Sequence, residues 1–261
     1  MSDVEPVLVR EERGAVLVLR LNRPEARNAL NPELMGSFGA ALAEAEEDPN
    51  IRAVVVTGTG DRAFCAGMDL RAFASGDNKP TPEQQEGMAV FGRFVRGNVS
   101  VPVVGAANAT AVAGGFEVLM GCDMVVASSA AQFGLPEVKR SLFAAGGGIV
   151  LGTRIPLAVA LEMTLTGDNI SAERAYELGL VNQVVEPDEV LEAAIAMAER
   201  IAKNGPLGLA ATKELVRMAV NDIDAAWERQ SVLQPQVFNS EDAKEGATAF
   251  IEKRDPVWKG R

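Results

Sequence analysis

The sequence predicts an α/β fold: a mainly parallel sheet with crossover helices, followed by a helical C-terminal region. Three observations predict it. β-Branched runs such as Ile51 to Gly58 end in glycine, the pattern of a buried strand whose C-terminal end opens onto a loop. Strand, turn and helix then recur at a spacing that leaves room for crossovers, and from Pro206 onward the pattern is almost wholly helical.

Taken in order, Val7 to Leu21 reads as two strands joined by a charged turn at Glu12 to Gly14. Asn22-Arg23-Pro24 stops the sheet, and the loop through Arg27 and Ala29 leads to Asn31-Pro32-Glu33. That is an N-cap with proline at the first helical position, so a helix is expected from about Pro32 to Glu47. After the Ile51 strand, Ala63 to Leu70 places small residues around Gly67. Such a turn can aim a backbone N–H into a cleft, or simply be a tight strand-to-helix corner.

Residues 74 to 81 read as a polar loop of the kind that covers a site, and a helix from Glu83 to about Asn98 follows. Strands are expected at Val101 to Ala106, Cys122 to Ala127 and Ala131 to Gly134. A short helix lies between the first two, at Glu117 to Gly121. Gly146-Gly147-Gly148 fits neither G-x-G-x-x-G nor a P-loop, and a helix start accounts for it better. Helices at Ala158 to Thr166, Ser171 to Leu180 and Pro187 to Lys203 surround a small strand, Val181 to Val185. Ser171 serves as an N-cap and Gly179 as a C-cap. In the tail, Leu209, Thr212, Leu215, Val216 and Ala219 share one stripe that should pack on the main body or on another subunit. Ser240 caps a last helix with acids in its first turn.

Composition narrows the function. The 261 residues carry 25 Lys and Arg against 36 Asp and Glu, a net charge of −11, which argues against nucleic acid as a partner. Two cysteines are too few for a disulfide framework. The N-terminus lacks a signal-peptide pattern and no apolar run is long enough for a bilayer, so a reduced, cytoplasmic protein is expected. There is no histidine. Ser-His-Asp and Cys-His hydrolases and histidine-bound zinc are thereby excluded, leaving acid and base chemistry to carboxylates, Lys, Cys or the single Tyr176.

Two carboxylates stand out. Glu117 follows Gly114-Gly115 and opens the apolar run Val118-Leu119-Met120, a buried helix entered through a glycine turn, where ionisation is costly. Glu137 follows Phe133-Gly134-Leu135-Pro136, which should leave a strand and expose the next residue at a pocket edge. Each has a plainer reading. Glu117 could be a helix-start acid favoured by the macrodipole, and Glu137 a surface acid paired with Lys139 or Arg140.

The segments Asn22 to Leu30, Ala63 to Leu70, Ala113 to Glu117, Phe133 to Glu137, and Glu241 to Gly246 with Phe250 to Arg254 together resemble the successive signatures of the crotonase superfamily. The resemblance is strongest to enoyl-CoA hydratase, and it covers nearly the whole chain in family order. It implies a crotonase-like spiral of ββα units in residues 1–203. Residues 204–261 would then form a helical trimerisation region, with trimers often paired into hexamers.

The implied substrate is an acyl-CoA thioester whose CoA moiety removes any need for a separate cofactor. The implied reaction is syn addition of water to a 2-enoyl-CoA, as in fatty-acid β-oxidation. Glu117 would be the base on water, Glu137 the proton donor to the α-carbon, and the backbone N–H groups of Met68 and Gly114 the oxyanion hole. Substrate and CoA contacts would come from Arg27, Ala29, Ala66, Asp69, Leu70 and Arg71, and from Phe250 and Lys253 reaching a neighbouring subunit's site. An enoyl-CoA isomerase and a non-catalytic acyl-CoA-binding homologue are the alternatives. The chain departs from the family pattern at Glu25, where lysine is common, and at Ala144-Ala145, where Pro-Gly is common. The second departure implies a reshaped acyl pocket.

Overall fold

A computed structural model describes residues 5–75 and 79–261. The chain opens with the antiparallel hairpin β1 (Leu8–Arg13) and β2 (Val16–Leu21), turned at Gly14, whose φ is 61°. Helix α1 (Pro32–Glu47) follows. Its N-cap is the expected one, with the Asn31 side chain accepting from the Leu34 N–H at 2.9 Å. Strand β3 (Ala53–Gly58) pairs parallel with β2, and a short α2 (Leu70–Ser75) comes next. The expected loop at 74–81 begins inside α2 and lies partly outside the described residues. Helix α3 (Pro82–Val95) starts in a capping box between Thr81 and Gln84 and stops at Arg96, short of the expected Asn98, because Gly97 takes φ 76°.

Strands β4 (Val103–Ala107) and β5 (Ala111–Val112) precede α4 (Gly114–Gly121), which begins three residues earlier than the sequence suggests. Then come β6 (Met124–Ser128), β7 (Gln132–Gly134), α5 (Leu151–Arg154), α6 (Leu157–Thr166), β8 (Ile170–Ser171) and α7 (Ala172–Glu177). Strand β9 (Gln183–Val185) and helices α8 (Val190–Ala202), α9 (Pro206–Asn221), α10 (Ile223–Phe238) and α11 (Glu241–Glu252) complete the order. The N-caps at Ser171 and Ser240 are as expected, and Gly179 sits just past the end of α7 with φ 78°.

The larger sheet has the order β1-β2-β3-β4-β6-β9, parallel except at the opening hairpin. Both faces of its central strands β3 and β4 are buried, which is why these read as runs of apolar and small residues. Alternate residues divide between two cores. Leu17, Leu19, Val54, Val56 and Val103 join the main cluster with Leu34 and Phe38 of α1 and Phe94 of α3. Val16, Val18, Val55, Val104 and Val126 meet Val190, Ala194, Ile195 and Ala198 of α8 on the other side. Full burial of each such Val or Ile stabilises by about 1.5–3 kcal/mol relative to exposure.

A second, narrower ladder holds β5, β7 and β8, and the isolated parallel bridges Leu30 to Met68 and Cys65 to Ala111 continue it. Each turn of the spiral therefore adds a strand to the wide sheet and a short segment to this ladder. Leu30, Met68, Val112 and Gly134 consequently come from four successive turns stacked side by side. That stacking is what brings residues far apart in sequence to one place.

The stripe on α9 is covered in part: Leu209, Leu215 and Ala219 are half-buried, whereas Thr212 is exposed and Val216 is 63% exposed. A partly buried ion cluster also ties α9 to the core, with Lys213 and Arg217 each 2.7 Å from the Asp123 carboxylate. Arg217 also donates to the Gly121 and Cys122 carbonyls at 3.2 Å, and Lys213 to the Val101 carbonyl at 2.8 Å.

Candidate active site

The loop after β2 is fixed by one buried side chain. Asn28 donates to the Thr59 and Ala63 carbonyls at 3.0 and 2.9 Å and accepts from the Arg23 N–H at 3.0 Å. It and Arg27 both adopt left-handed backbone, at φ 55° and 53°, which turns the chain sharply so that Leu30 can lie beside Met68. The Leu30 N–H donates to Gly67 O and the Asp69 N–H to Leu30 O, at 2.8 and 2.9 Å. These two bonds flank Met68 and leave its own N–H without an acceptor among the described residues.

Gly67, at φ 89°, is required by the next turn of the spiral. A Cβ there would stand 2.6 Å from the Ala113 Cβ and 3.1 Å from the Gly114 nitrogen. Ala113 itself takes φ 51° and ψ −132°, a strained conformation that costs on the order of 1–3 kcal/mol. The strain starts α4 at Gly114. As the first helical residue, Gly114 also has an N–H with no acceptor among the described residues, and its Cβ direction points to within 3.6 Å of the Met68 nitrogen. Two free amides thus converge from two turns, one of them at the positive end of a helix.

Glu117 follows on the first turn of α4 and is 5% exposed. Its Oε1 accepts from the Gly148 N–H at 2.8 Å, and the Gly146 and Gly147 N–H groups also favour its charge. Burial nevertheless raises its pKa above the ordinary 4.5, and the nearby Glu137 charge raises it further. Glu137 stands on a 3₁₀ turn, Pro136–Arg140, that leaves β7. One of its carboxyl oxygens, Oε2, is buried and has no hydrogen-bond partner. Its pKa is likewise raised by burial, against the pull of its own N–H and of Arg140.

The plainer reading of Glu137 does not hold. Lys139 pairs with Asp168 at 2.7 Å, and Arg140 makes no ion pair with Glu137 among the described residues. Glu117 is at a helix start, as its plainer reading has it, but it also faces the cavity. The cysteines take no part in acid–base work, since burial pushes both thiols up to about 12.

Both glutamates line one cavity of about 430 Å³ together with Ala66, Met68, Leu70 and Gly114. The remaining candidates lie elsewhere. Arg27 is exposed, and its carbonyl accepts from the Ala66 N–H at 3.1 Å. Ala29 is buried, with its carbonyl receiving Arg23 Nη1 at 2.5 Å. Asp69 is engaged within the chain, 2.9 Å from the Arg23 guanidinium and accepting from the N–H groups of Arg71 and Ala72 at 3.2 Å. Arg71 is exposed on α2, and Phe250 and Lys253 are exposed at the end of α11, away from this chain's cavity.

Sequence reasoning missed several walls of the cavity: Met35 from α1, Phe91 and Val95 from α3, and Arg140, Leu142 and Phe143 after Glu137. It also took the Gly146-Gly147-Gly148 run for a helix start only, whereas its amides hold Glu117. Three consecutive glycines were the available signal. A Cβ at Gly146 would sit 2.5 Å from Glu117 Oε2, so any side chain there would have to displace the carboxylate. Ala145 lines the cavity and Ala144 packs on the core beside it. No group of three or more metal-ligating side chains occurs among the described residues, and no helix there is long and apolar enough to cross a membrane.

The mixed α/β architecture matches that of crotonase-fold enzymes. Sequence comparison agrees: the enoyl-CoA hydratase/isomerase family profile matches residues 11–261, and the chain belongs to that family. It is 38% identical over 256 residues to the carnitinyl-CoA dehydratase of Proteus mirabilis, covering 95% of this chain and 97% of that protein. The carnitinyl-CoA dehydratase of Salmonella typhimurium matches at 38% identity, over 95% and 96% of the two chains. Among solved structures, an enoyl-CoA hydratase from Mycobacterium tuberculosis superposes with a TM-score of 0.89 at 42% identity, over 98% of this chain and 100% of that one. A carnitinyl-CoA hydratase from Mycobacterium avium does so at 0.77 and 42%, over 99% and 100%.

Proposed function

We propose that the chain hydrates a 2-enoyl-CoA thioester to the 3-hydroxyacyl-CoA, and in the reverse direction dehydrates it. The observation that carries this reading is the meeting of Glu117 and Glu137 with the unengaged amides of Met68 and Gly114 at one cavity. The thioester oxygen accepts from both amides, which stabilise the negative charge that develops on it as the enolate forms. Each such donor is worth about 3–4 kcal/mol of barrier in comparable oxyanion sites.

The carboxylate of Glu117 takes a proton from the water as its oxygen adds to C3, and the carboxylic acid of Glu137 gives a proton to C2. Two acids with raised pKa values, one sensing the charge of the other, favour a state in which a single proton is shared between them. The unpartnered Oε2 of Glu137 suits a group that donates to carbon during reaction rather than one tied into the scaffold. No separate cofactor enters, because CoA arrives with the substrate.

The proposal includes assembly into trimers or pairs of trimers through the C-terminal helices. Phe250 and Lys253 then reach a neighbour's CoA, while Arg27, Ala29 and Arg71 serve the site of their own chain. The test is incubation with 2-enoyl-CoA and, separately, 3-enoyl-CoA in ¹⁸O-labelled water. Label in a 3-hydroxyacyl product from the 2-enoyl ester is the expected result. Migration of the double bond without label would make the protein an isomerase instead.

A further inference from the structure

The cavity has a third charged wall residue, Arg140, to which the proposed chemistry gives no part beyond its pull on the Glu137 carboxyl. It closes the 3₁₀ turn on which Glu137 stands, and residues three apart on such a turn lie one above the other. Its neighbour Lys139 is neutralised by Asp168 at 2.7 Å, whereas the Arg140 guanidinium has no hydrogen-bond or ion-pair partner among the described residues. The same cavity is lined by apolar residues of the following segment, Leu142, Phe143 and Ala145, and by Phe91 and Val95 of α3. An acyl group held at its oxygen by the two amides, with C2 and C3 at the two glutamates, has this wall left for its remaining carbons.

We infer that Arg140 is a specificity-determining residue that ranks acyl groups by the charge at their far end, anionic above neutral and neutral above cationic. The inference rests on the acyl-thioester reading of the cavity. On this inference a carnitinyl group, which carries a quaternary ammonium, is a disfavoured acyl group here. Arg140 is exposed at the cavity rim, so solvent screens its field, and the expected discrimination is about tenfold rather than many thousandfold. Glu117 and Glu137 would draw a cation the other way, which makes the Arg140 variants the necessary control.

The experiment is calorimetric binding, at low ionic strength, of three saturated thioesters that cannot react. They are 5,5-dimethylhexanoyl-CoA, its cationic isostere 4-(trimethylammonio)butyryl-CoA, and glutaryl-CoA. The parent is expected to bind the cationic ester about tenfold more weakly than its neutral isostere and the anionic ester more tightly than either. Arg140→Leu should bring the three within about twofold, and Arg140→Glu should invert the order. Equal binding of the two isosteres by the parent, or a preference that survives both variants, overturns the inference. A protein that hydrates nothing can still show the ranking, so the two readings fail separately. If none of the three esters binds, the inference falls, whereas the hydration reading is decided on the 2-enoyl esters.

Discussion

Glu117 and Glu137 are held in different ways, and the difference decides how each should respond to change. Glu117 is almost fully enclosed and leans on the Gly148 amide, while Glu137 keeps one buried oxygen unpartnered. Both pKa values lie above the ordinary 4.5. The folded protein therefore binds protons at these sites more tightly than the unfolded chain. The stability they contribute is complete below the ordinary glutamate pKa and is lost as pH rises through the raised values. Glu117→Gln keeps an oxygen for Gly148 and removes the titration, so its thermal midpoint should gain on the parent's between pH 5 and pH 8. Parallel midpoint curves for the two proteins would show that Glu117 is not destabilised by its charge. Sequence alone singled out both acids, since a glutamate ahead of Val118-Leu119-Met120 calls for a reason. It gave no sign that Arg140 shares their cavity, because a basic residue two after Val138 looks like any solvated charge.

Elements, rather than single residues, set the distances in the site. The Gly146-Gly147-Gly148 segment approaches α4 closely enough that its backbone replaces water around a carboxylate. Gly146→Ala would put a methyl group against Glu117 Oε2 and displace the carboxylate. We predict a fall in kcat of about 10²-fold or more, the scale on which a misplaced acid–base group acts, with little change in the far-ultraviolet circular dichroism. Wild-type kcat in that variant would show that the glycine run does not position Glu117. Most elements were legible in the sequence because caps and periodicity are local: Asn31-Pro32 began α1 where expected, and Ser240 began α11. The isolated bridges at Leu30–Met68 and Cys65–Ala111 were not, since nothing local records which turn of a spiral lies beside which. The α9 stripe misled in part, for a related reason. Its Lys213 and Arg217 are turned to the core by Asp123, ninety and more positions away, while Thr212 and Val216 stay exposed.

At the scale of the molecule, the single chain leaves Val216, Val220, Trp227, Phe238, Phe250 and Ile251 largely exposed on its last three helices. Scattered apolar residues are ordinary, and the proposed assembly through the C-terminal helices would cover these. Light scattering coupled to size exclusion should give a mass near three or six times that of one chain, and a monomer at micromolar concentration would contradict the proposed assembly. The spiral itself explains why one chain needs four of its turns to make one site: the loop at Leu30, the amide of Met68, the amide of Gly114 with Glu117, and Glu137 each come from a different turn. The most direct test of the account is loss of 2-enoyl-CoA absorbance across a graded set of chain lengths, measured on the parent and on Glu137→Gln. The account predicts hydration of at least one ester by the parent and a kcat lower by about 10²–10⁴-fold in the variant, with KM changed far less. No hydration at any chain length, or equal rates in both proteins, would contradict it.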